Sequence, residues 1–185
     1  MVSPHHITLH FEVIPRNIKQ ALEFLSHAAW LRRSQWYLAG GTTLALQMGH
    51  RSSVDLDFFI PRKDFSAARL LKHFPENVWS TGILREGTIY GTLYGAKTSF
   101  IAYPFFVPAE PYQRYGALPM LHPRDIAVMK IIAISQRGRK RDFFDLYWYC
   151  LHQEPLDAIF GRLKDQYTTV AHDYHHIIKS LAYFA

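Results

Sequence analysis

The sequence predicts an α+β fold, with a mixed β-sheet flanked by helices and followed by a C-terminal helical part. Two observations support this prediction. Up to about residue 118, segments with helical periodicity alternate with short runs rich in β-branched and aromatic residues. From residue 119 onward, the apolar residues recur only at helical spacing. We therefore divide the chain into an α/β core, residues 1–118, and a helical region, residues 119–185, that packs against the core and can be counted with it as one domain.

The first third of the chain predicts the order helix, strand, glycine turn, helix and strand. An amphipathic segment follows Pro15, a residue that is tolerated in the first turn of a helix. Gly40 and Gly41 then interrupt the pattern, and Thr42 is the expected N-cap of the short helix that follows. The expected bounds of these elements are 16–33, 36–39, 40–41, 43–48 and 54–60.

The rest of the chain predicts a helix, a meander of strands and then helices alone. Asp64 is the expected N-cap of the first of these helices. The turn sequences EG and YGAK separate runs that are typical of strands. Pro123 is expected at a helix start and Gly138 at a helix break. The expected bounds are 63–74 for the first helix, 77–106 for the meander, and 121–153, 155–167 and 168–184 for the helical segments.

Composition limits the class of protein. Of the 185 residues, 49% are hydrophobic, which suffices for one compact core, and no run approaches the roughly 18 apolar residues that span a membrane. The N-terminal segment lacks the pattern of a secretory signal, and a single cysteine, Cys150, excludes an intramolecular disulfide. We therefore expect a cytoplasmic protein without a membrane partner. The net charge of +6 favours a polyanionic partner such as a nucleotide or a nucleic acid.

Two aspartates occupy alternate positions of the strand predicted at 54–60. Asp55 and Asp57 therefore leave one face of the sheet, and Leu56 and Phe58 leave the other. Carboxylates this close repel each other unless a cation or hydrogen-bond donors compensate the charge. A hard divalent cation such as Mg²⁺, bound by the carboxylates and by substrate phosphates, fits that need. Two solvated aspartates on an edge strand are the alternative.

The glycine pair before the short helix indicates a phosphate site. Glycine adopts backbone conformations closed to other residues and allows a ligand to approach closely. The free N–H groups at the start of the helix, its dipole and the Thr42 hydroxyl suit phosphate oxygens. If the strands on either side of the helix are neighbours, phosphates bound there lie beside Asp55 and Asp57. An ordinary tight turn is the alternative interpretation of the glycines alone.

The two elements together resemble a known motif. LAGG, thirteen intervening residues and DLDF are similar to the hG[GS]…Dh[DE]h motif of the DNA polymerase beta-like nucleotidyltransferase superfamily. The longer string GGTTLALQMGHRSSVDLDFF, with the later PRDIAVMKIIAISQRGRKRDFFDLYW, resembles the AbiEii/AbiGii-type nucleotidyltransferase family. Toxins of that family belong to bacterial abortive-infection and toxin–antitoxin systems.

The resemblance implies a nucleotidyltransferase-like fold and the Mg²⁺-dependent transfer of NMP from an NTP to a hydroxyl group. It implies that Asp55 and Asp57 bind the metal ion, and that the turn of Gly40, Gly41 and Thr42 holds the β and γ phosphates. The acceptor hydroxyl is expected on an RNA, such as a tRNA 3′ end, or on a protein side chain. The implied biological role is that of a toxin, whose cognate antitoxin need not contact it directly.

Other candidate residues lie between and after these elements. Arg51 and Ser53 are candidate nucleotide-binding residues between the glycines and the aspartates; Arg51 either contacts phosphate or is solvated. His50 is expected to cap the end of the short helix. A basic turn is a candidate for binding acceptor phosphates or the triphosphate, or is simply solvated: Arg137, Arg139, Lys140 and Arg141.

Lys130 projects from the middle of an apolar helix face, in one row with Ile126 and Ile134. Burying an unpaired ammonium group is costly, so a phosphate or an acidic partner is expected beside it, unless its stem extends past the core to water. The family resemblance also indicates that Lys130 is an active-site residue and matches Asp142 to the family's RD aspartate. Asp142 then pairs with Lys130, orients the basic group or acts near the nucleotide; a helix N-terminal carboxylate is the alternative.

One expected carboxylate is missing. The superfamily places a third acid on a later strand, and the matching segment GAKTSFIAYP offers Lys97, Thr98 and Ser99 but no acid. Ser99 is the expected occupant of that place, unless Asp125 or Asp142 enters the site. A catalytically reduced nucleotide- or RNA-binding protein on the same fold is therefore the second hypothesis. A structural or partner-interaction protein, for which the aspartate pair and the helix lysine are incidental, is the third.

Overall fold

The computed structural model of the protein describes residues 8–169 and 171–183. Its strands are β1 (Tyr37–Ala39), β2 (Asp55–Ile60), β3 (Trp79–Arg85), β4 (Thr88–Leu93), β5 (Ala96–Ala102), β6 (Gln113–Tyr115) and β7 (Leu118–Met120). Within the described residues they form one sheet in the order β3-β4-β5-β2-β1-β7-β6. The pairs β1/β7 and β2/β5 are parallel and the other neighbouring pairs are antiparallel, so the sheet is mixed.

The helices surround this sheet. They are α1 (Arg16–Ser26), α2 (Ala29–Arg32), α3 (Gly40–Met48), α4 (Ala67–Leu71), α5 (Pro123–Arg137), α6 (Lys140–His152), α7 (Leu156–Gly161), α8 (Leu163–Gln166) and α9 (Tyr174–Ala182). A short 3-10 helix, Phe11–Val13, precedes α1. The α+β fold predicted from the sequence, with a mixed sheet and a helical C-terminal part, is therefore confirmed. Among the described helices, none is long and apolar enough to cross a membrane.

The sheet separates two hydrophobic clusters. The first contains Leu38 and Phe58 together with Leu22 of α1. The second contains Tyr37 together with Ile131 of α5. Neighbouring residues of β1 thus belong to different clusters, as the two-residue period of a strand requires. Helices α1, α2 and α4 cover the first face, and α5 to α9 cover the second.

Buried and partly exposed side chains alternate along β2, so its two aspartates lie on the same face of the sheet, as expected. Leu56 and Phe58 are fully buried in the first cluster, whereas Asp55 and Asp57 are partly exposed on the other face. Strands β1 and β2 are neighbours, with Ala39 directly opposite Asp57. Because α3 begins immediately after Ala39, the start of that helix lies beside the aspartate pair.

Thr42 is not the N-cap of α3, contrary to the expectation. The chain turns into the helix at Gly40, whose φ of +77° lies in the region that favours glycine, and Ala39 takes the N-cap position. Thr42 is therefore already inside the first turn. Its hydroxyl lies 2.8 Å from Ser53 Oγ and donates to the carbonyl oxygen of Asp55. These bonds tie the start of α3 to the start of β2.

The N-cap predicted at Asp64 is also wrong. Helix α4 begins at Ala67, with Ser66 as its N-cap, and the Ser66 hydroxyl accepts a 3.3 Å hydrogen bond from the Arg69 backbone N–H. Because that hydroxyl satisfies the free N–H of the first turn, the helix starts later than the sequence pattern indicates.

Two predicted helices are each divided into two shorter helices. The first ends at Ser26, because the Ser26 carbonyl oxygen accepts a 2.6 Å hydrogen bond from the Ala117 N–H before β7, and the chain resumes as α2. The helix expected at 155–167 divides at Arg162 into α7 and α8, and the Arg162 guanidinium pairs with Glu154 at 2.6 Å.

The helix expected at 168–184 corresponds to α9, which is N-capped by Asp173 through a 2.9 Å bond from the His176 N–H. Residues 1–7, 170 and 184–185 lie outside the described residues, so the parts of the predictions that fall on them are not addressed. The division of the chain at residue 118 stays a prediction; strand β7, which begins there, belongs to the sheet.

Candidate active site

A cleft of about 500 Å³ opens between the sheet and the pair α5–α6. Its walls are the start of α3, one face of β2, β5 and β4, and the facing sides of α5 and α6. All nine residues assigned from the sequence to catalysis, metal binding or nucleotide binding line this cleft: Gly40, Gly41, Thr42, Arg51, Ser53, Asp55, Asp57, Lys130 and Asp142. A more open groove of about 940 Å³ along α1 contains none of them. The roles assigned to these residues remain predictions.

Four residues on neighbouring strands form a row across the floor of the cleft. Ala39 lies opposite Asp57, Asp57 opposite Ser99, and Ser99 opposite Tyr90. Directly opposed residues point to the same face of a sheet. The row therefore leads from the start of α3, across the aspartate pair, to a tyrosine on β4.

The two glycines allow the start of α3 to lie against charged side chains. A Cβ atom at Gly40 would lie 3.0 Å from Asp57 Oδ2, and a Cβ atom at Gly41 would overlap Arg51 Nη2. The first N–H groups of a helix have no acceptor within the helix. Glycine at these two positions therefore leaves room for the Asp57 carboxylate and the Arg51 guanidinium beside the first turn of α3, where N–H groups suited to a phosphate begin.

Asp57 is fixed by its neighbours on the sheet. Ser99 Oγ donates a 2.7 Å hydrogen bond to Asp57 Oδ1. Burial raises the pKa of Asp57 above its ordinary value, and the neighbouring charge of Asp55 adds to the rise, although the hydrogen bond from Ser99 opposes it. The carboxylate therefore gains from any positive charge that is placed beside it.

Asp55 lies nearer to solvent and faces cations. Arg141 Nη1 donates to Asp55 Oδ2 at 3.0 Å, and Lys97 lies directly opposite Asp55 on β5. Exposed ion pairs of this kind contribute about 0–1 kcal/mol, so the Arg141 contact is easily exchanged. Among the described residues of the basic turn, Arg137, Arg139 and Arg141 line the cleft and Lys140 does not.

Lys130 is buried between two aspartates of α6. Its Nζ atom lies 2.7 Å from Asp142 Oδ1 and 2.7 Å from Asp145 Oδ2, and 5% of its side chain is exposed. The acidic partner expected from the sequence is therefore present, and a lysine extending to water is excluded. Burial alone would raise the pKa of Asp142, but Lys130 and Arg137 outweigh it and hold that pKa below its ordinary value.

Asp145 is the centre of a buried ionic network. Its Oδ1 atom lies 2.8 Å from His50 Nε2 and accepts from Arg51 Nε at 2.5 Å. Its Oδ2 atom accepts from Arg51 Nη2 at 2.8 Å and faces Lys130. Burial alone would raise the pKa of Asp145, but these donors hold it well below its ordinary value. A fully buried carboxylate with this set of partners joins α6 to the segment between α3 and β2.

His50 and Arg51 differ from the expectations for them. His50 does not cap α3, since Gly49, with a φ of +67°, forms the end of that helix and His50 binds Asp145. Arg51 is not a solvated loop residue, since 18% of its side chain is exposed and it holds Asp145 with two N–H groups. It lines the cleft beside Gly41. Contact of Arg51 with phosphate remains a prediction.

The position expected for a third carboxylate holds Ser99, directly opposite Asp57. Asp125 cannot take that role, because it is fully buried and accepts hydrogen bonds from two backbone N–H groups and from Gln166. Asp142 lines the cleft, but its oxygens are bound by the cations already described. The described residues contain no group of three or more histidine, cysteine or acidic side chains that could hold a metal ion.

The residues that are present fit a hard divalent cation. The carboxylates of Asp55 and Asp57 and the hydroxyl of Ser99 face the same part of the cleft. Oxygen atoms of carboxylates, together with substrate phosphates, are the ligands that Mg²⁺ takes in proteins. A cation there relieves the repulsion between the carboxylates that contributes to the raised pKa of Asp57.

Asp145 and His50 are the site residues that sequence reasoning missed. The spacing of Asp142 and Asp145 could have predicted a role for Asp145, because residues three apart on a helix share a face and both can reach the same lysine. The partner on the other side, His50 with Arg51, lies more than ninety positions earlier and has no such local pattern.

Comparison with known proteins identifies the family. A family model described as nucleotidyl transferase AbiEii toxin, Type IV TA system, matches residues 23–86 and 94–184. These segments make up most of the chain. The protein belongs to the AbiEii nucleotidyltransferase toxin family. The resemblance inferred from the glycine and aspartate motifs and from the later lysine and aspartate segment is thus confirmed.

This AbiEii-family protein also has a relative of similar length over most of its chain. It is 35% identical over 158 residues to an uncharacterised protein of Aquifex aeolicus (strain VF5), and the alignment covers 82% of this chain and 74% of that protein.

Solved structures show that the AbiEii-family chain has a nucleotidyltransferase fold. The nucleotidyltransferase toxin MenT4 of Mycobacterium tuberculosis H37Rv matches with a TM-score of 0.52 and 15% identity, over 80% of this chain and 64% of that chain. The antibiotic-resistance factor ANT(2'')-Ia matches with a TM-score of 0.54 and 13% identity, and the match covers 86% of this chain and 99% of that chain. JHP933 of Helicobacter pylori matches with a TM-score of 0.50 and 15% identity, and the match covers 91% of this chain and 90% of that chain. At these identities the likeness concerns the fold alone.

Proposed function

We propose that this protein transfers a nucleoside monophosphate from an NTP to a hydroxyl group of an RNA or of a protein, with Mg²⁺ bound at Asp55 and Asp57. One observation carries the proposal. The aspartate pair, the glycine turn at the start of α3 and the Lys130–Asp142 pair converge on one cleft, although more than seventy residues separate Asp57 from Lys130 in the sequence.

The start of α3 is the proposed site of the triphosphate. The N–H groups at Gly41 and Thr42 and the positive end of the helix dipole suit the β and γ phosphates. The side chains of Arg51 and Lys130 lie nearby, each anchored on Asp145. Since these cations are held by a buried carboxylate, they are already oriented when the nucleotide arrives, which favours catalysis by positioning.

Asp55 and Asp57 are the proposed metal ligands, and Ser99 fixes the orientation of the second. A metal ion held by these two carboxylates would supply positive charge opposite the α-phosphoryl group and the pyrophosphate leaving group. The acceptor hydroxyl oxygen forms a bond to the α-phosphorus and releases its proton to solvent, while the bond from that phosphorus to pyrophosphate breaks and pyrophosphate leaves. The protein aligns these groups and supplies opposite charge.

The biological role that fits the family is that of a toxin. The family description names a toxin of type IV toxin–antitoxin systems, and MenT4, one of the proteins with this fold, is a nucleotidyltransferase toxin. We propose that the chain acts in the cytoplasm, where NTPs and RNA are available, and that its cognate antitoxin opposes it without necessarily contacting it.

A transfer assay tests the proposal. The protein is incubated with Mg²⁺, with total RNA or cell extract, and with each NTP in turn, radiolabelled at the α-phosphate. We expect metal-dependent labelling of an acceptor, reduced about 100-fold or more by Asp57→Ala, as for loss of a preorganised charge at a reacting centre. Asp64→Asn, which removes an exposed carboxylate outside the cleft, is the matched control. Absence of label on every acceptor tested contradicts the proposal.

A second candidate function is nucleotide or RNA binding without turnover. The serine at the third carboxylate position favours it, because that serine lacks the negative charge a third acid would supply. Calorimetry separates the two functions. NTP binding that depends on Asp57, without label transfer to any acceptor, supports the binding protein over the transferase.

A further inference from the structure

We infer that the exposed ring of Tyr90 and the ammonium group of Lys97 form a subsite for the end of a single-stranded nucleic acid acceptor. A base of the acceptor stacks on the ring, and a neighbouring phosphate lies at the lysine. The inference rests on the proposed function, because it uses the place proposed for the triphosphate. It selects a nucleic acid over a protein side chain as the acceptor.

The order of groups across the cleft floor fixes the side from which the acceptor approaches. In phosphoryl transfer, the attacking and leaving oxygens lie roughly in line on opposite sides of the phosphorus atom. The proposed triphosphate site is at the start of α3, after β1, and the α-phosphorus belongs at Asp57 on β2. The attacking hydroxyl therefore approaches from β5 and β4, which carry Ser99 and Tyr90 in the same row.

Tyr90 lies beyond the reacting atoms and not among them. It is two strands away from Asp57, which at a strand spacing of about 4.8 Å corresponds to roughly 10 Å between the backbones. Ser99 lies between them and is bound to Asp57. A group on Tyr90 can thus hold the nucleotide that bears the attacking hydroxyl without displacing the metal ligands.

The ring of Tyr90 is available for stacking. It is 46% exposed and lines the cleft, and it enters no hydrogen bond or ring pair found within the described part of the chain. Two nearby tyrosines differ from it: Tyr103 packs edge-on against Phe59 at 5.6 Å, and Tyr94 packs against Phe24 at 5.8 Å. Stacking of a base on an exposed aromatic ring is the usual way in which proteins hold single-stranded nucleic acid.

The charge of the cleft suits a phosphate backbone. Lys97 is exposed, lines the cleft and lies opposite Asp55 on β5. It is two residues before Ser99, which lies opposite Tyr90, so the lysine and the tyrosine are close on the same face of the sheet. Among the described side chains that line the cleft, six are lysine or arginine and three are aspartate, an excess of three positive charges. A protein acceptor would bring neither a base for the ring nor a phosphate for the lysine.

RNA binding without nucleotide tests the subsite. The probe is a fluorescein-labelled single-stranded RNA of mixed sequence, about 12 nucleotides long, followed by fluorescence anisotropy. We expect Tyr90→Ala to weaken binding by roughly 5- to 100-fold, as for loss of one stacked base, and Tyr90→Phe to bind as the wild type does. Tyr94→Ala, which removes a ring from the turn after the same strand but outside the cleft, is the matched control and keeps wild-type affinity.

The salt dependence of binding tests the lysine. We expect Lys97→Gln to reduce the slope of log K against log salt concentration by about 0.7, as for loss of one contact with single-stranded phosphate. Lys72→Gln, which removes an exposed lysine outside the cleft, leaves the slope unchanged. Thermal unfolding verifies that each variant is folded. Equal affinity of wild type and Tyr90→Ala, or equal weakening by Tyr90→Ala and Tyr94→Ala, overturns the inference.

The binding assay requires neither NTP nor turnover, so its failure is distinct from failure of the transferase proposal. In the transfer reaction, Tyr90→Ala raises KM for the RNA while kcat and KM for the NTP change little. Label that passes to a polypeptide at the same rate in wild type and in Tyr90→Ala overturns the inference and leaves the transferase proposal standing.

Discussion

Ser99 Oγ donates a 2.7 Å hydrogen bond to Asp57 Oδ1 from the adjacent parallel strand. A hydroxyl can hold a carboxylate in one orientation, but it brings no negative charge of its own at neutral pH. Ser99 therefore positions one aspartate of the pair and does not replace a third acid. Substitution of Ser99 therefore tests how far the function of the Asp55 and Asp57 carboxylates depends on the Ser99 hydroxyl.

Ser99→Ala is expected to reduce transfer activity by about 10- to 100-fold, the usual effect of removing a partner that orients a metal ligand. The hydrogen bond from Ser99 opposes the rise in the pKa of Asp57, so its loss raises that pKa further. The acidic limb of the activity profile therefore moves to higher pH. Ser135→Ala, which removes a hydroxyl of α5 bonded to its own helix, is the control. An unchanged profile in Ser99→Ala contradicts the positioning role.

Asp57→Asn is expected to abolish activity and to increase stability at pH 7 when no divalent cation is present. The pKa of Asp57 is raised in the folded protein. The stability that the carboxyl contributes is therefore fully present below the pKa of an unfolded aspartate, about 3.9, and is lost as the pH rises through the folded pKa.

Thermal unfolding in EDTA measures this effect. A gain of about 1 kcal/mol corresponds to about 2–4 °C in a chain of this size. The gain should shrink as the pH falls through the raised pKa of Asp57 in the folded protein, and it should vanish below about 3.9, where the wild-type carboxyl is neutral in both the folded and the unfolded state. Asp64→Asn, at an exposed position, is expected to show no such gain. A lower melting temperature for Asp57→Asn at pH 7 would argue against an uncompensated charge at this position.

Asp145→Asn is expected to destabilise the protein by about 3–5 kcal/mol, because Lys130 and Arg51 lose their shared buried partner. The pKa of Asp145 is lowered in the folded protein, so its stabilising contribution is present above the unfolded pKa and is lost as the pH falls through the folded pKa. The difference in melting temperature between wild type and variant should therefore be largest at pH 7 and should narrow below about pH 4.

Asp145→Asn is also expected to weaken NTP binding by about 10- to 100-fold, since the cations that it orients become free to move. Asp125→Asn is the matched control, because Asp125 is equally buried but lies outside the cleft; it should leave NTP affinity unchanged. If Asp145 acts through Arg51, its effect on affinity largely disappears in an Arg51→Met background. Additive effects of the two substitutions contradict that coupling.

Gly41→Ala tests the close approach at the start of α3. The new methyl group overlaps Arg51 Nη2, so the guanidinium must shift from its position beside Asp145. We expect NTP affinity to fall at least about tenfold, since an oriented charge-assisted donor is lost. Gly161→Ala, whose Cβ atom meets nothing within 4 Å, is expected to leave NTP affinity unchanged. Equal NTP affinity in Gly41→Ala and wild type, measured by calorimetry, excludes a role for the glycine in phosphate binding.

The local pattern of the sequence predicts much of this site. The two-residue spacing of Asp55 and Asp57 determines that they share a face, and the buried Leu56 between them determines which face is the core. Lys130 is identified for a similar reason, since its helical neighbours are apolar and its charge needs a partner. In each case the short-range periodicity carries the information.

Interactions between distant residues could not be predicted in this way. The network at Asp145 depends on residues that are more than ninety positions apart, and no local periodicity indicates that His50 meets α6. The end of α1 at Ser26 is also set by a distant residue, Ala117, through a single hydrogen bond. The prediction of Thr42 as the N-cap is wrong because the helix already starts at Gly40. The positive φ of Gly40 allows this start, and a glycine in the sequence permits that conformation but does not require it.

The network around Asp145 has a consequence for the timing of protein synthesis. The aspartate pair and the glycine turn are made early, by residue 57, but the carboxylate that holds Arg51 and Lys130 belongs to a residue added much later. A ribosome-bound chain that has not yet exposed α6 therefore carries the proposed metal ligands without the ordered cations beside them. Such a nascent chain is expected to be inert, so that a toxic activity would begin only after α6 has been synthesised and has folded against the rest of the site.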